Sequence, residues 1–146
     1  SQSGCRSHCW TVRRPVYWHI GTVNRDPAHK IEVQNVAFKT VGILQKAGML
    51  TAITTDHPVS LIQSLPICAG MAVKAGLPME EGLKAITINP AKICGVADRV
   101  GSLEVGKDAD IAVFTGNPME VFTKTLYTII DGRIVYDAGK DEGEKA

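Results

Sequence analysis

The chain has 146 residues, which is long enough for one domain with a core. It is too short for a complete eight-fold α/β barrel, because such a barrel needs about 200 residues or more. Its 16 Lys and Arg residues balance 15 Asp and Glu residues, and the net charge of +1 gives no electrostatic indication of a nucleic-acid or membrane-surface partner. The hydrophobic content of 45% and aromatic content of 5% are typical of an aliphatic α/β protein.

The cysteines and the apolar runs indicate the compartment. Cys5, Cys9, Cys68 and Cys94 form no C-x-x-C pair, and the last two lie in apolar helical stretches where a reduced thiol behaves as a small hydrophobe. No apolar run approaches the roughly 18 residues needed to cross a bilayer, and no basic-then-apolar leader opens the chain. These features predict a cytoplasmic protein.

Residues 1–35 show no sustained helical or strand period, so we expect an irregular or poorly specified segment. The exception is the strand-like run Val16-Tyr17-Trp18-His19-Ile20. A zinc site formed by Cys5, His8, Cys9 and His19 is an alternative interpretation. Their spacing matches no familiar finger or ribbon, which makes the irregular segment the preferred interpretation.

Residues 36–97 have the pattern of helices around one strand. Helices are predicted over residues 40–48, 60–76, 77–87 and 90–94, the first ended by Gly48 and the last by Gly95. An apolar, β-branched run from Met49 predicts a buried strand after the first helix. Asn89 is the expected N-cap of the last helix, and Pro66 either kinks the second helix or marks its first turn.

The buried strand ends in Thr54-Thr55-Asp56-His57-Pro58. This places an acid and an imidazole at the carboxyl end of a strand, where α/β proteins keep their reactive groups. From spacing alone, Asp56 could equally cap the turn that follows, as Asp does before many helices.

Residues 98–137 change from helical to strand patterns. A turn-rich stretch over residues 101–110 leads to a buried strand over residues 111–114. The sequence Asp131-Gly132 then predicts a type I′ turn in a β-hairpin. The small and charged tail over residues 138–146 is expected to fray.

Three stretches resemble the metal-dependent amidohydrolase superfamily, in its branch near imidazolonepropionase. They are Thr54-Thr55-Asp56-His57-Pro58, then Ala85-Ile86-Thr87-Ile88-Asn89-Pro90-Ala91-Lys92, and Gly101-Ser102-Leu103-Glu104-Val105-Gly106-Lys107-Asp108-Ala109-Asp110-Ile111 with Asp131-Gly132 in the closing hairpin. The resemblance implies an α/β fold class: the C-terminal portion of a (β/α)8 TIM-type barrel over residues 36–97, followed by a small antiparallel β-sandwich element over residues 98–137.

The resemblance also implies chemistry. In that family the acid closing the eighth strand binds a divalent metal, most often zinc, and takes a proton from metal-bound water. The matching residue is Asp56, which is therefore the candidate catalytic and metal-binding residue, while His57 is a candidate for substrate contact. The family takes its other ligands from a His-x-His pair and further residues on earlier strands, none of which is matched by His8, His19 or His29.

One acid cannot hold a catalytic zinc, which needs about three protein ligands. We therefore expect the chain alone to bind no metal and to be inactive. The first functional hypothesis is a fragment of a hydrolase whose parent acts on non-peptide C–N bonds of a small cyclic or acyl amide. The second is a non-catalytic module that self-associates or completes a barrel in trans through the apolar surface of a partial barrel. Neither hypothesis includes a nucleic-acid or membrane partner.

Overall fold

The computed structural model describes residues 16–19 and 37–141. Its strands are β1 (Val16–His19), β2 (Thr51–Thr54), β3 (Ile111–Phe114), β4 (Thr125–Ile130) and β5 (Arg133–Asp137). Its helices are α1 (Lys39–Lys46), α2 (Leu65–Lys74), α3 (Met79–Ile86), α4 (Ile88–Cys94) and α5 (Ala138–Asp141). This is the mixed α/β content that the sequence predicts. Three members of the proposed zinc site, Cys5, His8 and Cys9, lie outside the described residues, as does His29.

β1 and β2 form a parallel pair, with Val16 opposite Thr51 and His19 opposite Thr54. The first three residues of β2 are all buried, and α1, α2, α3 and α4 each contact this strand. A strand that is buried without alternation is typical of parallel sheets covered on both faces. β2 begins two residues later than predicted, because the Met49 N–H still donates to the Leu44 carbonyl at the end of α1.

The helix predicted over residues 60–76 is shorter in the structure. Ile62–Ser64 form a 3-10 turn, and α2 begins at Leu65 with Pro66 in its first turn rather than at a kink. A first-turn position suits proline because its missing N–H would have no partner within the helix.

A single break at Thr87 separates α3 from α4. In a continuous helix the ring of Pro90 would clash with the carbonyl of the residue four positions earlier. That residue is Ile86, the last residue of α3, so the helix breaks directly after it. The predicted N-cap at Asn89 was therefore wrong. α4 begins before it, at Ile88, and Asn89 is a buried residue of the first turn.

The second sheet is antiparallel, with the strand order β3-β4-β5. Asp131 and Gly132 join β4 to β5 with φ angles of 55° and 73°, as a type I′ turn requires, which confirms the predicted hairpin. β3 is only half-buried rather than buried. The tail was expected to fray, but residues 138–141 form α5, which contacts β4.

Met119, in the loop between β3 and β4, connects the antiparallel sheet to the helices. Its side chain is 8% exposed and belongs to the core that includes Val41 and Ile53. A Cβ atom at Gly70 would lie 2.8 Å from the Met119 carbonyl oxygen, and one at Gly82 would lie 3.2 Å from the Met119 Cε. The two glycines thus provide the space in which the loop packs against α2 and α3.

Gly101 is the point where the chain returns from the helices to the antiparallel sheet. Its φ is +94°, and a Cβ there would lie 2.9 Å from the Ala91 Cβ and 3.0 Å from the Ile88 Cα. We expect Gly101→Ala to lower the free energy of unfolding by about 1–3 kcal/mol more than Gly76→Ala, because overpacking adds to the backbone strain. Gly76 also has a positive φ, of +107°, but no atom lies within 4 Å of the position that a Cβ would take there. Urea denaturation checks this, and equal losses would contradict it.

Candidate functional site at the end of β2

Asp56 lies at the carboxyl end of β2, two residues after Thr54, as the sequence predicts. Its φ is 52°, in the left-handed region that Asp and Asn enter more readily than most residues with a side chain. The Asp56 N–H donates to the Thr54 Oγ1 at 3.2 Å, and the Asp56 carbonyl accepts from the Val59 N–H at 2.8 Å. A sparsely populated backbone conformation at a strand end is a feature that clusters at functional sites.

The chain passes from the interior to the surface within one residue at this position. Thr55 is 4% exposed, whereas Asp56 is exposed. The N-cap residue of α2 is Ser64, so Asp56 does not cap that helix. The interpretation of Asp56 as a cap of the turn that directly follows it stays a prediction. The enclosed strand therefore presents the acid at the surface of the described structure.

The surface that follows the acid is apolar. His57 is exposed beside Asp56, and its peptide bond to Pro58 is cis. Val59, Leu61 and Ile62 come next, and each is about 60% exposed. The stretch after β2 thus combines a carboxylate, an imidazole and exposed apolar side chains.

The described residues do not form a metal site by themselves. Within residues 16–19 and 37–141, no group of three His, Cys, Asp or Glu side chains is placed to hold a metal ion.

Sequence reasoning missed the contact made by Asn89. Its Nδ2 donates to the Thr51 carbonyl at 3.0 Å, across 38 residues of sequence, and its side chain is almost fully buried. The sequence did contain one indication of its burial, because the residues next to Asn89 on the helix are apolar. The position before Pro90 favoured the capping interpretation instead.

Asp108 and Asp110 lie in the segment through which the chain returns to the antiparallel sheet, residues 101–110 (the returning segment), and both have structural partners. Asp108 pairs with Arg99, and the Asp110 Oδ1 accepts from the Asp131 N–H at 2.9 Å in the hairpin turn. These carboxylates hold loops together, so they do not supply a second acid to the site.

A cavity of about 620 Å³ lies between α3, α4 and β3. Its lining is mainly apolar and includes Leu83, Ile86 and Phe114. Asp56 and His57 do not line it, so the cavity and the acid at the end of β2 are separate features. No helix in the part of the chain that the structure describes is long and apolar enough to cross a membrane.

The fold and the site define an α/β protein with an acid at the carboxyl end of an enclosed parallel strand. The model of the amidohydrolase family matches residues 14–136. The chain belongs to the amidohydrolase family.

Three similar proteins illustrate the relationship. Imidazolonepropionase from Syntrophobacter fumaroxidans is 44% identical over 72 residues, which cover 47% of this chain and 17% of that protein. N-substituted formamide deformylase from Arthrobacter pascens is 30% identical over 108 residues, which cover 62% of this chain and 20% of that protein. The crystal structure of an amidohydrolase from Thermotoga maritima MSB8 has a TM-score of 0.71 and 39% identity, covering 74% of this chain and 28% of that one. The chain spans less than a third of the length of each of these proteins.

Proposed function

We propose that this chain is part of a metal-dependent amidohydrolase that cleaves a non-peptide C–N bond of a small cyclic or acyl amide. The observation that carries the proposal is the exposed Asp56 at the carboxyl end of the enclosed strand β2. Membership of the amidohydrolase family supports it, as do relatives whose names specify an imidazolonepropionase and a formamide deformylase. In this proposal residues 36–97 are the last units of a (β/α)8 barrel, residues 98–137 belong to a small β-sandwich, and the protein is cytoplasmic.

Asp56 is the acid–base group in the proposed reaction. Its carboxylate accepts a proton from the attacking water and returns that proton to the leaving nitrogen as the C–N bond breaks. A side chain at the end of a packed strand is held in place for such a transfer, which contributes about 10²–10⁴-fold to a rate. His57 lies beside the acid and contacts the substrate, whose apolar part faces Val59 and its exposed neighbours.

The proposal assigns one metal ligand, Asp56, to this chain. Because the sequence contains no His-x-His pair and one acid cannot hold a catalytic zinc, we expect the chain alone to hold no stoichiometric zinc and to have no turnover. The zinc of the complete enzyme would depend on ligands that the described residues do not contribute.

The alternative function is a non-catalytic module that self-associates or completes a barrel in trans. The observation that favours it is the exposure of large apolar side chains, including Val59 and Ile62 beside the site and Phe122, which is 95% exposed. Exposed apolar surface of this kind promotes association.

Two preparations test the proposed function. The first is the purified 146-residue chain, for which zinc content, hydrolysis of N-substituted formamides and mass by light scattering are measured. We expect a protein without zinc and without turnover; zinc with turnover would contradict the fragment proposal, and a stable monomer would contradict the self-associating module.

The second preparation is a chimera in which residues 37–137 are exchanged into the Syntrophobacter fumaroxidans imidazolonepropionase, with the register set by the 72 residues over which the two sequences match. We expect the chimera to bind zinc and to hydrolyse the host enzyme's substrate. A folded chimera that binds zinc but has no activity would contradict the proposed function.

A further inference from the structure

Asn89 connects α4 to the strand that carries the candidate acid. Its Nδ2 donates to the Thr51 carbonyl at 3.0 Å, and this hydrogen bond is buried. Thr51 is the first residue of β2 and is 2% exposed, while Asp56 follows the other end of the same strand. The bond therefore joins the helix to the beginning of the strand that ends at the acid.

The geometry of a strand makes this bond specific for one register. Successive carbonyls of a strand point to opposite sides, so a donor beside Thr51 cannot pair with the carbonyl of Leu50 or Ala52. The next carbonyl on the same side lies two residues away, about 6–7 Å along the strand. A shift of β2 against α4 would break the Asn89 bond and would displace Asp56 by the same amount.

The helix that carries Asn89 also contacts the segment that follows it in the chain. The missing side chain of Gly101 allows the returning segment to lie against Ala91 and Ile88, both residues of α4. The helix ends at Gly95, which has a φ of 74°. α4 thus contacts both β2 and the returning segment, and these contacts restrict the position of its donor relative to β2.

We propose that Asn89 is a positioning residue, whose hydrogen bond to the Thr51 carbonyl sets the position of β2 and through it the position of Asp56. This inference rests on the proposed function of Asp56, but the contact itself does not. Asn89 acts through the strand and touches no reacting atom.

The first experiment uses NMR spectroscopy of the 146-residue chain. Asn89→Asp keeps the size of the side chain but replaces the donor with an acceptor that faces the Thr51 carbonyl oxygen. We expect the amide signals of Asp56 and Val59, which report the turn at the end of β2, to move. The matched control is Asn117→Asp, because the Asn117 Oδ1 accepts from the Met119 N–H at 3.1 Å and a carboxylate can still accept. We expect that control to leave both signals in place.

The result that overturns the proposal is an Asn89→Asp chain whose Asp56 and Val59 signals stay in place, whether or not its stability falls. A fall in stability without movement of these signals would show that the Asn89 hydrogen bond stabilises the fold but does not position Asp56. Asn89→Ala, which removes the donor without burying a charge, gives the same measurement if Asn89→Asp does not fold. Movement in either variant, without movement in Asn117→Asp, supports the proposal.

The second experiment measures turnover in the chimera. We expect Asn89→Asp to lower kcat on the order of 10–100-fold with little change in KM, because a small misplacement of a catalytic group lowers the rate steeply. In a chimera that already carries Asp56→Asn, the same substitution should cause no further loss, and an undiminished loss there would contradict positioning through Asp56. The NMR result needs no turnover, so this inference and the proposed function can fail separately.

Discussion

Replacing Asp56 with Asn in the imidazolonepropionase chimera should lower kcat by about 10²–10⁴-fold, the contribution of a positioned acid–base group. An amide has nearly the same shape as the carboxylate, but it can neither accept the proton from water nor return it to the leaving nitrogen. The measurement is steady-state hydrolysis, with the zinc content determined on the same samples. Loss of zinc together with turnover would support a ligand role for Asp56 as well.

The choice of Asn rather than Ala follows from the backbone. Asp56 has a φ of 52°, a conformation that Asn adopts readily and that would strain Ala by roughly 1–2 kcal/mol. Asp56→Asn therefore changes the chemistry while it preserves the turn. An Ala variant would combine a lost carboxylate with a moved strand end.

The matched control for this substitution is Asp98→Asn, the same chemical change at an exposed residue in the segment after α4. We expect its turnover to remain within about two-fold of the parent chimera, because most surface substitutions change stability by no more than about 0.5 kcal/mol. Equal activity of the Asp56→Asn and Asp98→Asn chimeras would contradict a catalytic role for Asp56.

Met119→Ala should lower the free energy of unfolding by about 2–5 kcal/mol, the range found when large buried side chains are truncated. The Met119 side chain is almost fully buried and packs where Gly70 and Gly82 leave space in α2 and α3. Its removal leaves a cavity at the place where the loop between β3 and β4 meets the helices. Urea denaturation monitored by circular dichroism measures the loss of unfolding free energy.

The control lies three residues away in the same loop. Phe122 is 95% exposed, so Phe122→Ala should change the free energy of unfolding by less than about 0.5 kcal/mol. Similar losses of stability in the two variants would contradict a specific contribution from the buried Met119 side chain. The loop would then stabilise the protein through its backbone.

Local signals explain which parts of the structure were predictable. Gly48 and Gly95 follow α1 and α4, and Asp131-Gly132 forms the expected turn, because each of these depends on the conformational preferences of a few adjacent residues. The position of Asp56 at the end of β2 was predictable for a similar reason. An apolar, β-branched run that ends in polar residues indicates a strand and its end.

The contacts that organise the site could not be predicted in the same way. The Asn89 side chain bonds a residue 38 positions earlier, and a capping preference before Pro90 gives the opposite interpretation. Met119 lies in a loop that also contains the apolar Val121 and Phe122, both of which are exposed, so apolar character alone does not indicate which side chain is buried. In both cases tertiary packing, rather than a local preference, decides where the side chain lies.

β2 is enclosed by four helices and a neighbouring strand, yet it ends at an exposed acid within two residues. Amide hydrogens in such an enclosed strand exchange with solvent through large openings of the structure, whereas those of an exposed turn exchange through local fluctuations. We therefore expect the boundary between slow and fast exchange to fall between Ile53 and Asp56. The candidate acid is thus exposed to solvent, and its backbone directly follows a strand whose backbone we expect to open rarely.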